Sequence, residues 1–126
     1  MTDSIHQGNS LHWPSEIRLT KDKKTLEVSF EDGVTVHLTA ELLRVESPSA
    51  EVQGHGSGQK TTPASKRNVT ITRLDPVGNY AVRITFIDGH DTGLFSWDIL
   101  YDYGQRQDAL MAAYIARLAA AGNSRD

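Results

Sequence analysis

The chain has 126 residues, 38% hydrophobic and 23% charged, with 13 Lys+Arg against 16 Asp+Glu and no cysteine. That is the size and composition of one globular domain. A formal net charge of −3 provides no basic excess for nucleic acid or an anionic membrane. The lack of cysteine excludes disulfides, thiolate nucleophiles and thiolate-bound metal.

Residues 1–10 are polar, with no basic segment followed by an apolar run, so no secretory signal is expected and the cytoplasm is the default location. No stretch approaches the ~20 apolar residues of a membrane-spanning helix. Residues 1–10 and 122–126 read as flexible termini. Residues 16–19 are a strand candidate. Leu26, Val28 and Phe30 then alternate, Asp32-Gly33 turns the chain, and Val34, Val36 and Leu38 alternate again. A two-residue loop at Asp32-Gly33 would place the two apolar sets on opposite faces. A three-residue loop, Glu31-Asp32-Gly33, pairs Phe30 with Val34, Val28 with Val36 and Leu26 with Leu38 on a single face, and it suits Gly33 in a left-handed conformation. Thr39 is placed to cap a helix over 40–45.

Residues 47–66 are rich in Ser, Gly, Thr and Pro and carry no aromatic, which reads as a long surface loop. Gly54-His55-Gly56-Ser57-Gly58-Gln59-Lys60-Thr61 approaches a phosphate-binding loop, but Gln59 stands where the second glycine is required and Pro63 follows. A flexible glycine loop is the simpler reading.

The second half repeats the hairpin, with Asp88-Gly89 falling 56 residues after Asp32-Gly33. Residues 69–74 are the strand candidate before it. Val82, Ile84 and Phe86 alternate, and the same register pairs Phe86 with His90, Ile84 with Thr92 and Val82 with Leu94. His90 then faces inward, either as a half-buried histidine bonded to a neighbour or as part of a site. Ser96 is placed to cap a helix over 97–103, and an Ala- and Leu-rich helix follows over about 106–121, ended by Gly122. The expected fold is α+β, with about six antiparallel strands in two similar three-stranded hairpin units, short helices and a C-terminal helix. One hairpin signal seen twice is too little to establish a duplication.

No Gly-x-Ser-x-Gly is present, and His6, His12, His37, His55 and His90 are scattered without a His-Glu-x-x-His or His-x-Asp pattern, so no catalytic residue is assigned. Six of the nine aromatics fall between residues 80 and 103. They either build the core, or Trp97, Tyr101 and Tyr103 form an exposed face for a partner. The last helix looks apolar around much of its circumference, which raises a homodimer through Leu110, Tyr114 and Leu118.

Trp13-Pro14-Ser15-Glu16-Ile17, Phe30-Glu31-Asp32-Gly33, Ala40-Glu41-Leu42-Leu43-Arg44-Val45, the 47–56 segment and the 88–97 segment occur in an order that resembles the γ-butyrobetaine hydroxylase-like N-terminal domain family (DUF971), closest to its bacterial stand-alone members. The resemblance spans 11–103, with 104–121 as an added C-terminal helix. In the hydroxylases this domain precedes a separate oxygenase domain, for which 126 residues leave no room, so no enzymatic activity is expected. Related domains are fused to P-loop iron–sulfur proteins. The resemblance therefore implies a non-catalytic accessory or protein-interaction module in iron–sulfur or metal handling, with a P-loop iron–sulfur carrier as the partner it suggests. Neither nucleic acid nor membrane is an expected partner.

The resemblance also implies a zinc site built from a Cys-x-Cys-x-x-Cys segment and a histidine. Those positions hold Ser47, Ser49, Val52 and His90 here. No tight metal and no cofactor are expected, and the corner is expected to be held by polar contacts. The alternative is a metal- or small-ligand-binding domain centred on His90 and the 47–58 loop. The candidate ligand- or partner-binding residues are Arg44, Glu51, His55, His90 and Trp97.

Overall fold

The computed structural model describes residues 11–54 and 60–126. The chain runs β1 (Pro14–Leu19), β2 (Thr25–Phe30), β3 (Thr35–Thr39), α1 (Ala40–Val45), α2 (Ala50–Gln53), β4 (Ile71–Val77), β5 (Ala81–Phe86), β6 (Leu94–Ser96), α3 (Trp97–Gln105) and α4 (Gln107–Ala120). Two antiparallel three-stranded sheets result, in the orders β1-β2-β3 and β4-β5-β6.

The first hairpin has the three-residue loop. Leu26 lies opposite Leu38 and Val28 opposite Val36, Phe30 N–H donates to Val34 O at 2.8 Å, and Gly33 sits at φ 93°. A Cβ-bearing residue is disfavoured at that φ, which is why glycine closes the turn. Leu26, Val28, Phe30, Val36 and Leu38 are buried together.

In the second hairpin the turn follows expectation and the register beyond it does not. Phe86 N–H donates to His90 O at 3.0 Å, and Gly89 has φ 90°. Val82, however, pairs with Phe95 rather than Leu94. Residues 91–93 leave the ladder, and the one-residue slip turns every later side chain over. Phe95 becomes fully buried while Leu94 is left 38% exposed. The cause lies outside the hairpin. A Cβ on Gly93 would collide with the Ser47 hydroxyl, so the chain at Gly93 packs directly on the 47–49 corner and bulges to do so.

The two halves share one order, three strands and then a capped helix. Thr39 Oγ1 accepts from Leu42 N–H at 3.1 Å and Ser96 Oγ from Ile99 N–H at 3.2 Å, each satisfying a first-turn donor. The hairpin aspartates are cross-locked. Asp32 Oδ1 accepts from Val34 N–H and Asp88 Oδ1 from His90 N–H. Asp32 Oδ2 then takes the Tyr101 hydroxyl of α3 at 2.9 Å, and Asp88 Oδ2 takes Arg44 Nε of α1 at 2.9 Å. Each unit's helix thus holds the other unit's turn.

Residues of both sheets, α1 and α3 form one core, in which Phe86, Ile84, Leu42 and Leu100 are fully enclosed. Burying each such side chain stabilises the fold by ~1.5–3 kcal/mol. A smaller cluster joins Val45 to Tyr114 and Leu118 of α4. The free edge of β3 is covered by one side chain: Gln107 Nε2 donates to His37 O at 2.6 Å while its Oε1 accepts from Thr39 N–H at 3.1 Å. Gln107→Ala uncovers both backbone groups, and about 1–2 kcal/mol of stability should be lost in urea unfolding. A loss no larger than that of Asp108→Ala would contradict this role.

Two further differences from the sequence reading bear on the site. Residues 47–54 are not surface loop: Ser47, Ser49 and Val52 are buried and 50–53 form the single turn α2. Residues 124–126 are tied down. Ser65 N–H donates to Ser124 O and Arg67 N–H to Arg125 O, both at 3.0 Å, and Arg125 forks onto Glu41 at 2.8 and 2.7 Å. The buried Glu41 carboxylate requires a cation, and Arg125 supplies it.

Candidate functional site

Three segments converge beside the second hairpin. Helix α1 presents Arg44 in its last turn, the 47–53 corner presents two serines and Glu51, and the hairpin tip presents Asp88, His90 and Thr92. Arg44 Nε (2.9 Å) and Lys66 Nζ (2.6 Å) both donate to Asp88 Oδ2.

The His90 side chain is 6% exposed and bonded at both ring nitrogens. Nδ1 lies 3.1 Å from Glu51 Oε1; Nε2 lies 3.1 Å from Ser47 Oγ and 3.3 Å from Ser49 Oγ. Thr92 Oγ1 donates to the same Glu51 oxygen at 2.8 Å, and Ser47 Oγ donates to Ser49 Oγ at 3.2 Å. A neutral ring satisfies all of these when Nδ1–H donates to Glu51 and Nε2 accepts from a serine hydroxyl, an assignment made from the network. Burial, followed by the charge of Arg44, keeps His90 below its usual pKa against the opposing carboxylates of Glu51, Asp88 and Asp91. Burial pushes Asp88 up, but hydrogen bonds from Lys66, the His90 amide and Arg44 outweigh it and bring the carboxyl down to about 2.

Both groups titrate lower in the folded protein than in the unfolded one, so both stabilise the fold at high pH and lose that contribution as pH falls. The His90 part begins to fade below its ordinary value of ~6.5. The Asp88 part fades between its ordinary 3.8 and about 2. Asp88→Asn should therefore flatten the stability loss below pH ~4 by on the order of 1 kcal/mol after solvent screening. Urea unfolding at pH 5, 4 and 3 measures it, and parallel slopes for variant and wild type would refute it.

A cleft of about 340 Å³ opens at this point, lined by Arg44, Glu51, Val52, Thr61, Pro63, Ala64, Lys66 and His90. Of the residues singled out in the sequence, the structure brings together Arg44, Glu51 and His90. His55 lies outside the described residues. Trp97 is not brought to the cleft: it is packed in the core, with its Nε1 donating to Asn79 O at 2.9 Å. Tyr101 and Tyr103 also pack against the core, their hydroxyls bonded to Asp32 and to Glu46 O. Sequence reasoning missed Lys66 and Asp88. Asp88 was visible only as a turn residue, and Lys66 sits in a polar stretch without periodicity.

The Glu51–His90–Ser47 line has the connectivity of an acid–base–nucleophile relay. Its hydroxyl end is enclosed, since Ser47 is fully buried beneath Gly93 and Ser49, the other hydroxyl on His90 Nε2, is 5% exposed. The zinc implied by the resemblance is not matched by this donor set either. Ser47, Ser49 and Val52 supply two neutral hydroxyls and an alkyl group, none of them the thiolate, imidazole or carboxylate that binds zinc tightly. Among the described residues no group of three or more His, Asp or Glu side chains is placed to hold a metal ion. No helix among them is long and apolar enough to cross a membrane.

The arrangement defines a small two-sheet α+β module with a polar cleft set on a rigid corner. The family model for the gamma-butyrobetaine hydroxylase-like N-terminal domain matches residues 17–101, and the chain belongs to that family. Two proteins solved by NMR in solution are 48% and 46% identical, each with a TM-score of 0.79; the matches cover 93% and 99% of this chain and 92% and 90% of theirs. A crystal structure of a DUF971-family protein of unknown function from Acidithiobacillus ferrooxidans ATCC 23270 is 39% identical, with a TM-score of 0.52 over 69% of this chain and 86% of that one. No curated protein matches the chain.

Proposed function

We propose that this chain is a non-catalytic protein-interaction module whose contact face is the cleft bounded by Arg44, Glu51, Lys66 and His90. One observation carries the reading. The only side chains at the cleft connected like a catalytic relay, among the described residues, end on two enclosed serines, Ser47 with no exposed surface and Ser49 at 5%. What the cleft offers to solvent is Glu51, Lys66 and Thr61, polar groups carried on loop and corner segments beside the hairpin. The hydrogen-bonded corner takes the place of a metal knot, and no tight zinc is expected. The setting we favour, an accessory role in iron–sulfur or metal handling with a P-loop iron–sulfur carrier as partner, rests on the resemblance alone.

The homodimer through α4 has less to recommend it, since Tyr114 and Leu118 are buried within the chain and, among its large apolar residues, Ile115 is the exposed one at 42%. The test is co-purification from the native cell with mass spectrometry, comparing wild type with Lys66→Glu. Loss of an identified partner in the folded variant supports the reading. Equal capture by both sinks it, and stoichiometric zinc in chelator-treated protein would favour a metal-binding domain at His90 instead.

A further inference from the structure

The cleft has more donors than acceptors, and the imbalance indicates what it binds. Arginine carries five N–H donors and lysine three. Here one from each is spent on the same oxygen, Asp88 Oδ2. Arg44 Nη1 is buried without a partner among the described residues and lies out of a ligand's direct reach, while the side chain as a whole keeps 13% of its surface exposed. On the other wall Glu51 Oε1 takes both His90 and Thr92, and the rest of this 63% exposed carboxylate is the acceptor set against the donors of Arg44 and Lys66. Val52, Pro63 and Ala64 line the space between them with carbon.

We propose that the cleft seats an acidic side chain from a segment of a protein partner, its aliphatic stem over Val52, Pro63 and Ala64 and its carboxylate on Lys66 and Arg44. The inference rests on the cleft being the partner face. A carboxylate is an acceptor-only group, which is what a site with spare N–H donors lacks. Lys66 is the entry point: among the described residues its Nζ donates to Asp88 alone, its side chain is 21% exposed, and its flexible stem lets it swing between Asp88 and an incoming group without breaking the Arg44–Asp88 bond. A volume of about 340 Å³ takes one such side chain with its flanking residues. The apolar floor favours a side chain with a methylene stem over a free oxyanion, because the stem removes carbon surface from water.

The probe is an acetylated, amidated Ala-Leu-Glu-Leu-Ala peptide, titrated into ¹⁵N-labelled protein alongside the same peptide with Gln in place of Glu, and alongside sodium acetate. The Glu peptide should shift the amides of Arg44, Lys66 and His90, bind at least about fivefold more tightly than the Gln peptide, and weaken as salt rises. Lys66→Gln should lose that preference and Lys66→Arg should retain it; the dispersion of the amide spectrum reports whether each variant is folded. Equal binding of the two peptides, shifts confined to other faces, or acetate reproducing the peptide's effect at equal concentration would each overturn the proposal. If partner capture still depends on Lys66 in those cases, the cleft stays the partner face and only the acidic side chain is withdrawn. If capture is indifferent to Lys66, the wider reading fails as well.

Discussion

Phe95→Ala should lower the stability of this protein by about 3–5 kcal/mol, and Leu94→Ala by less than about 1 kcal/mol. Phe95 is fully enclosed in the main core and Leu94 is 38% exposed. Truncating Phe95 removes a large apolar surface and leaves a cavity whose walls come from both sheets, so little relaxation is available. The comparison is sharper than either mutation alone, because the alternation expected from the sequence predicts the reverse order. Urea unfolding of the two variants decides it: similar losses, or a larger loss at Leu94, would place Val82 opposite Leu94 and remove the bulge over 91–93. The bulge matters for the site, since it aligns Gly93 against Ser47 and fixes the corner that holds His90.

Removing the Arg125 side chain should cost about 2–3 kcal/mol although it lies almost at the end of the sequence. Its guanidinium makes a two-pronged contact with Glu41, whose side chain is 6% exposed while that of Arg125 is 28% exposed. Arg125→Ala leaves a carboxylate buried without its counter-charge, the situation in which breaking an ion pair is most damaging. The partial exposure of Arg125 lets water reach the vacated position, which keeps the expected loss below that of a fully buried pair. Adding Glu41→Gln to Arg125→Ala should recover at least half of the loss, because the stranded charge is gone. Thermal or urea unfolding of both single variants and the double variant tests this. An Arg125→Ala protein as stable as wild type would mean that 124–126 is not part of the folded unit. Glu46, the residue that ends α1, lies between Lys60 Nζ at 2.7 Å and Arg117 at 2.9 Å, so α1 and its cap are tied by ion pairs to Lys60, Asp88, Arg117 and Arg125.

Much of the fold was legible because its signals are local. The alternation of Leu26, Val28 and Phe30 with Val34, Val36 and Leu38 admits a single face only with a three-residue turn, and Gly33 at φ 93° is that turn. Thr39 and Ser96 announce their helices because a short hydroxyl satisfies first-turn amides wherever it stands. Helix α4 covers Gln107–Ala120, close to its expected span. Arg44, Glu51 and His90 were also placed together, on the resemblance and on the inward register of His90.

Other features depend on partners far away in the chain. Nothing around Lys66 marks it as the neighbour of Asp88, 22 residues on. Ser47 and Ser49 read as loop residues because polar composition usually means solvent, yet hydrogen bonds with His90 allow them to be buried. Trp97 looked available for a partner because an aromatic suits an interface as well as a core, and only its packing places it in the core.

The absence of cysteine is the clearest statement the sequence makes by itself: at the positions where the resemblance implies zinc-binding thiols, this chain carries Ser47, Ser49 and Val52, and no thiolate chemistry is open to it. Hairpins, caps and the family follow from the sequence as well, since periodicity and turn chemistry act over a few residues. How Ser47 and Ser49 are held was decided by tertiary structure. His90, delivered from a hairpin some forty residues away, fills the corner with one nitrogen on Glu51 and the other between two serine hydroxyls. A buried polar cluster persists only when each group finds its partner, and those partners meet only once the two halves have folded against each other.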